Sequence, residues 1–444
     1  MRIAAIGLCD PGYSEELAQM QHEKAILELQ KTFSEIFDLG LQADEFKSSE
    51  AVKKLAISHA ENPIDAIFLV QVAWSRPAVL LQVVRQFKQI PMVIYSPGSP
   101  IENGIIRSIA PAAGATATLH ILRRHGIKYK YVYSEPAKPI AEEDFLPFVK
   151  AASVLQKLKG TKIGMISFND MRLQNMGFDV QEVHERFGIE IEAIDMLEIE
   201  QKMTLLEVSK VDELKTELTK KWNFQGKEPG TAFDKVTRFY LVVQKIIEDN
   251  NYKAFSIRCP TGVGNLMGIT PCLIGCLLGR KLHFVCENDV PGMITQMILG
   301  GLSNQITTYW EYYELYPEKI LFGCCGFSPE CFLNEPLKVR TLEGFITGMG
   351  CCSTVNTGHY TIARIGKDLD GKYCINLTDG EASKPPVWYE DCLGLPQHPS
   401  VFFEPNGGVR NFVEKATAQH VAVTPGKWTK ELQEFAYLAD IKIS

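Results

Sequence analysis

Glu287 and Asp289, two carboxylates one residue apart, follow the apolar run His283–Val285 in the segment Cys286-Glu287-Asn288-Asp289-Val290-Pro291-Gly292. The apolar run reads as a buried strand. In open α/β sheets, ligands collect outside the carboxyl ends of such strands. Two oxygen-bearing side chains at one strand end suit a hard divalent cation such as Mg²⁺ or Mn²⁺. The same residues also suit a solvated acidic turn, or Asp289 as the cap of a helix over Pro291–Leu299.

Other residues offer chemistry singly. His420 lies in the apolar strand pattern Gln419–Val423, and His359 follows Gly358 at the head of another strand. Arg364, Arg410 and Lys427 could receive an anionic group through charge-assisted hydrogen bonds. Gly262-Val263-Gly264-Asn265 could offer backbone amides to a phosphate, although two glycines are a weak signature. Eleven of the 12 cysteines lie at or beyond Cys259. Their adjacent pairs, Cys324-Cys325 and Cys351-Cys352, lack the spacers of zinc sites, so reduced, buried thiols are expected.

The elements that must position these groups follow a regular alternation. Strand patterns at Ile3–Leu8, Ala66–Val72, Met92–Tyr95 and Tyr129–Tyr133 are separated by helical patterns over Ser14–Leu39, Ala51–His59, Pro77–Phe87 and Ile101–His125. Alternation of this kind implies a parallel sheet covered on both faces. The first turn, Gly7-Leu8-Cys9-Asp10-Pro11-Gly12, lacks the GxGxxG spacing of a dinucleotide site. A second α/β unit follows Lys159-Gly160-Thr161, with strands at Lys162–Ser167, Ile189–Asp195, Ala254–Arg258, His283–Cys286 and Lys319–Gly323. From Leu337 the pattern becomes short alternating strands with turns: Val339–Met349, His359–Ile365, Tyr373–Thr378 and Val401–Glu404. The expected fold is α/β: two Rossmann-like parallel-sheet domains, residues 1–158 and 159–336, then a small, mostly antiparallel β domain with a closing helix, residues 337–444.

A formal charge of −7 argues against general affinity for nucleic acid or anionic membranes. Roughly eighteen consecutive apolar residues are needed to span a bilayer, and no such run occurs. The apolar N-terminus is cut short by Asp10 and Pro11, so a first strand is expected rather than a signal peptide, and the cytoplasm rather than a secreted location.

Glu287-Asn288-Asp289 with its turn glycine and following helix resembles the metal-site motif of the L-fucose and L-arabinose isomerase family. Phe255-Ser256-Ile257-Arg258-Cys259 followed by Gly268-Ile269-Thr270-Pro271-Cys272 is similar to the strand and helix that precede that motif. Asp144-Phe145-Leu146-Pro147-Phe148 with Lys162-Ile163-Gly164 resembles the junction of the family's first two domains. Gln419-His420-Val421-Ala422-Val423 with Glu431-Leu432 resembles its C-terminal strand and closing helix.

The resemblance implies an aldose–ketose isomerase working through a metal-stabilised cis-enediol, with Mn²⁺ first and Mg²⁺ or Co²⁺ as alternatives. It carries over Asp289, Glu287 and His420 as metal-site residues, with Glu287 and Asp289 also moving protons. It places Trp74 at a position of substrate contact; His359 and Arg410 are further candidates for binding the sugar. It implies a homo-oligomer, a trimer or hexamer with shared sites. Two positions depart from the pattern: Pro260–Asn265 carries no carboxylate where relatives place a glutamate, and Cys324 stands where they place a histidine. Glu330, Glu404 and His359 are candidate replacements. An epimerase, a carbon–carbon lyase and a non-catalytic sugar-binding protein are the competing readings on the same scaffold.

Overall fold

The computed structural model describes residues 1–42, 45–226, 230–342, 348–385 and 399–444. The chain divides into two compact units, Met1–Gln156 and Lys157–Ser444.

In the first unit, β1 (Arg2–Leu8), β2 (Glu35–Gln42), β3 (Ala66–Gln71), β4 (Met92–Ser96), the two-residue strands β5 (Ile101–Glu102) and β6 (Ile105–Ile106), and β7 (Tyr129–Tyr133) follow one another. The main sheet has the order β2-β1-β3-β4-β7 and is parallel throughout. Every residue of β3 is buried, as a central strand covered on both faces requires. The expected helix over Ser14–Leu39 stops at Leu29, and Glu35–Gln42 is the edge strand β2, paired with β1. Phe33, Ile36 and Phe37 carry helical spacing, but Leu39 and Leu41 fit a period of two equally well, and hydrogen bonding to β1 decides between them. The expected helix over Ile101–His125 begins only at Pro111. Ahead of it lies a hairpin whose turn, Asn103-Gly104, has left-handed backbone at both residues. That dipeptide is a turn signature the apolar spacing had overridden.

The second unit contains β8 (Lys162–Ile166), β9 (Glu190–Ile194), β10 (Asn223–Gln225), β11 (Ala254–Ile257), β12 (His283–Cys286), β13 (Thr308–Leu315), β14 (Ile320–Gly323), β15 (Lys338–Leu342), β16 (Gly348–Cys351), β17 (Gly358–Lys367), β18 (Tyr373–Ser383), β19 (Ser400–Pro405), β20 (His420–Pro425) and β21 (Lys442–Ile443). A parallel sheet has the order β12-β11-β8-β9, and a small sheet joins β10, β15 and β16. The expected strand Val339–Met349 corresponds to β15 and β16, and its residues 343–347 lie outside the described residues. The remaining strands run β17-β20-β13-β14-β19-β18-β21, and a further pairing of β17 with β18 closes six of them into a barrel. Trp310, Phe322, Ile362, Val401, Phe403 and Val421 pack together in one core cluster formed by these strands. The architecture is therefore α/β, with two parallel sheets and a C-terminal antiparallel barrel.

One helix links the sheet to the barrel. Val290–Ser303 leaves the end of β12 and packs against β17 and β20. It is apolar on nearly every side because nearly every side is covered. Two of its buried polar side chains bond across elements: the Gln296 amide nitrogen donates to the Phe284 carbonyl (2.9 Å), and the Thr295 hydroxyl accepts from Ile365 N–H (3.0 Å). Among the described residues, no single helix is long and apolar enough to cross a membrane.

The pairing of β18 with β19 in the barrel leaves no room for a side chain at Gly380, where a Cβ would lie 2.1 Å from the Glu404 carbonyl oxygen and 2.7 Å from the Phe403 ring. Gly380→Ala should therefore lower stability by about 1–3 kcal/mol in urea unfolding. An unchanged midpoint would mean that the strands do not close at this contact.

Candidate functional site

Glu287 and Asn288, at the end of β12, both have left-handed backbone, with φ of 65° and 55°. Asparagine tolerates this region, but glutamate does so at a cost of about 1–2 kcal/mol. Neighbouring strands hold the turn in place. Glu287 N–H donates to the Ile257 carbonyl (2.9 Å), and the Asn288 amide donates to the carbonyls of Ile166 (2.9 Å) and Phe168 (2.7 Å). Asp289 then caps the helix Val290–Ser303, its Oδ1 accepting from Gly292 N–H at 3.0 Å.

Two barrel strands complete the site. His420 on β20 and Glu311 on β13 are directly opposed in register, so their side chains leave the same face. His420 Nε2 is 2.8 Å from Glu311 Oε1 and 3.8 Å from Glu287 Oε2, and Nδ1 is 2.9 Å from Asp289 Oδ2. Gln419 donates to Glu287 Oε2 at 3.2 Å. Glu287, Glu311 and His420 each offer one donor atom, and these atoms lie within 4.8 Å of one another. Two carboxylates and one imidazole form a set that a divalent transition metal accepts. The three residues therefore fit the cation that the family resemblance implies.

Asp289 stands behind this group. Its Oδ2 accepts from His420 and from the Arg364 guanidinium, which is 1% exposed. A Cβ on Gly292 would meet Asp289 Oδ2 at 2.4 Å and Arg364 Nη1 at 2.6 Å, so only glycine lets the ion pair pack against the helix. Burial alone would raise the Asp289 pKa, but Arg364 and His420 outweigh it and hold the carboxyl well below the usual range. Burial pushes Glu287 up to about 7, with Glu311, Asp170 and Asp289 adding to the rise and His420 opposing it. For His420 burial acts downward, but hydrogen bonds to Asp289 and Glu311 win and raise it to about 10. With no metal bound, His420 is an imidazolium between two carboxylates.

A cavity of about 40 Å³ adjoins Glu287 and Glu311, walled by Cys259, Cys286, Cys324, Cys325, Tyr309 and Phe327. One water needs about 10–15 Å³ of such space, so there is room beside the two glutamates for an ion or a water. None of the described cysteines forms a disulfide. Burial raises the Cys324 thiol well above its ordinary value.

Of the residues expected from sequence, Glu287, Asp289 and His420 come together. Trp74 lies in the other compact unit, just after β3, where its backbone N–H donates to the Ile109 carbonyl (3.0 Å). His359 is held on the barrel between Asp379 (2.9 Å) and Glu381 (3.2 Å). Arg410 is exposed on the short helix Val409–Val413, within 3.9 Å of Glu414. Glu330 pairs with Arg280 and Lys221, and Glu404 is exposed on β19. Arg364, expected as an anion receiver, is engaged by Asp289. Glu311 was missed because β13 was missed. Its aromatic-rich run Thr308-Tyr309-Trp310-Glu311-Tyr312-Tyr313 is a strand signal, but only the register to His420 marks the glutamate.

No protein-family model matches the chain. It is similar to the sulfoquinovose isomerases of Priestia aryabhattai and Priestia megaterium, each 22% identical over 332 residues, which cover 72% of this chain and 72% of the relative. The similarity is distant, and it is to sugar isomerases.

Proposed function

We propose that this chain is an aldose–ketose isomerase that binds a divalent cation, Mn²⁺ first among candidates, through Glu287, Glu311 and His420. The observation that carries the reading is the convergence of these three donors at the carboxyl end of β12, with His420 backed by Asp289. The similarity to two sulfoquinovose isomerases supports the reaction class.

When bound, the cation supplies Lewis acidity toward neighbouring oxygens of an open-chain sugar. The protein residues supply the rest. Glu287, its pKa pushed up to about 7 by burial, takes the C2 proton of the aldose and returns it to C1, while the O2 hydroxyl proton passes to O1, so that the aldehyde becomes a ketone by way of a cis-enediol. Asp289 accepts a hydrogen bond from His420 Nδ1–H and so turns Nε2 toward the two glutamates. Arg364 fixes Asp289 in that task. The strained Glu287-Asn288 turn keeps the proton carrier aimed at the site. Assembly as a homo-oligomer, trimer or hexamer, belongs to the same proposal and is read directly by light scattering.

Proton NMR in D₂O, with Mn²⁺ or with chelator, over a panel of neutral and anionic sugars that includes sulfoquinovose, tests the reaction. Metal-dependent deuterium uptake at C2 with an isomer of equal mass is expected. Two fragments would replace the isomerase with a lyase. No exchange by metal-loaded protein across the panel would overturn the enzyme reading.

The cation set is tested by metal analysis after dialysis. One Mn²⁺ per chain is expected, with binding weakened at least 100-fold in both Glu311→Gln and His420→Ala; full retention in either variant would remove that residue from the set.

Arg364→Met removes one of the two cationic partners of buried Asp289, leaving only His420, and should cost about 3–5 kcal/mol in urea unfolding. A loss under about 1 kcal/mol would show that Asp289 does not depend on Arg364.

A further inference from the structure

Gln419 reaches Glu287 from the entrance of β20. Consecutive side chains of an extended strand leave opposite faces, so a neighbour of His420 inside the strand would point away from the cluster. Gln419 precedes the first residue of β20 and escapes that alternation. Its amide nitrogen donates to Glu287 Oε2 at 3.2 Å, and His420 Nε2 lies 3.8 Å from the same oxygen.

The other contacts of the Gln419 amide set which of its ends faces Glu287. The nitrogen also approaches the Met176 sulfur (3.9 Å), and Oε1 accepts from the Asn175 amide at 3.0 Å. Asn175 and Met176 belong to one 3-10 turn, Gln174–Met176, between β8 and β9. An ionised carboxylate and a thioether only accept hydrogen bonds. Turning the amide over would set its oxygen against both acceptors, so the NH₂ group faces Glu287. Gln419 is half-buried and Asn175 exposed, in contrast to the sealed pair of Asp289 and Arg364 on the other side of His420.

The two oxygens of Glu287 are therefore not equivalent. Oε2 is held by Gln419 and faces His420 Nε2, which in turn meets Glu311 Oε1 at 2.8 Å. Oε1 has no hydrogen-bond partner among the described residues, and Glu287 borders the small cavity. A carboxylate asked both to help hold a cation and to move a proton needs one oxygen for each task, and a fixed orientation keeps them from exchanging.

We infer that Gln419 is a positioning residue for Glu287: its amide nitrogen keeps Oε2 on the side of His420 and Glu311, where the cation would bind, and leaves Oε1 as the oxygen that takes the C2 proton. Asn175 acts through Gln419 by fixing its amide. The inference rests on the isomerase reading for the proton that Oε1 takes.

Mn²⁺ titration of the full-length protein, followed by the electron paramagnetic resonance signal of the free ion, tests the hold on Oε2 without turnover. Gln419→Leu keeps the aliphatic stem and removes the donor. It should weaken Mn²⁺ binding about 10–100-fold with the melting temperature at the wild-type value. Asn175→Ala should weaken it about threefold, and should add nothing in the Gln419→Leu background. In C2 deuterium exchange at saturating Mn²⁺, Gln419→Leu should lower kcat about tenfold and leave KM within about threefold of wild type. Gln419→Ala replaces the leucine variant if that protein is not recovered folded. Wild-type Mn²⁺ affinity in the Gln419 variant would overturn this inference and leave the isomerase reading standing. A raised KM with unchanged kcat would overturn it in favour of a direct sugar contact. An Asn175→Ala effect that persists in full in the double variant would overturn the link through Gln419. Mn²⁺ binding that depends on Gln419 in a protein that exchanges no sugar would uphold the hold on Oε2 and overturn the isomerase reading.

Discussion

The buried carboxylate of Asp289 is the constraint on which the site depends. One of its oxygens caps the helix Val290–Ser303, and the other joins Arg364 of β17 to His420 of β20. A single side chain thus binds the end of the parallel sheet, the linking helix and two barrel strands. A lone buried carboxylate costs several kcal/mol, so each of these partners is needed for the others to be tolerable. Gly292 records the same constraint in the backbone, since any side chain there would occupy the space of the ion pair.

That arrangement also separates two tasks that one acidic motif could have combined. Asp289 spends its lone pairs on structure and on orienting His420. Glu287, two residues earlier, is turned by left-handed backbone toward Gln419, His420 and Glu311. Burial then divides their protonation: an adjacent guanidinium keeps Asp289 ionised, while Glu287, farther from it, is left near neutrality. Groups of one chemical type with pKa values pushed apart are a recurring arrangement for proton transfer.

The alternating strands and helices were legible in the sequence because buried parallel strands are continuous apolar runs, as in Ala66-Ile67-Phe68-Leu69-Val70. The edge strand β2 and the hairpin at Asn103-Gly104 were not, because short apolar spacings fit two periods at once. The site was half legible. Glu287 and Asp289 announce themselves by adjacency, and His420 by a resemblance. Glu311 has no local signature, because its place beside His420 is created by cross-strand register. Arg364 could be seen as a cation in a strand, but nothing local says that it faces an aspartate 75 residues away.

The charge balance of the cluster bears on why a divalent ion suits it. Without metal, Arg364 and protonated His420 face the carboxylates of Asp289 and Glu311, and Glu287 sits near its own midpoint at neutral pH. Coordination at His420 Nε2 requires that nitrogen to lose its proton, because only the neutral imidazole is a ligand. A divalent ion replacing one proton adds one net positive charge. Glu287 can absorb that charge by ionising, with no rearrangement of the buried Asp289–Arg364 pair. A monovalent ion would leave the charge unchanged and gain little from Glu287. A trivalent ion would leave an excess that no remaining member of the cluster neutralises. On the proposed cation set, the buried charges are therefore balanced by a divalent ion.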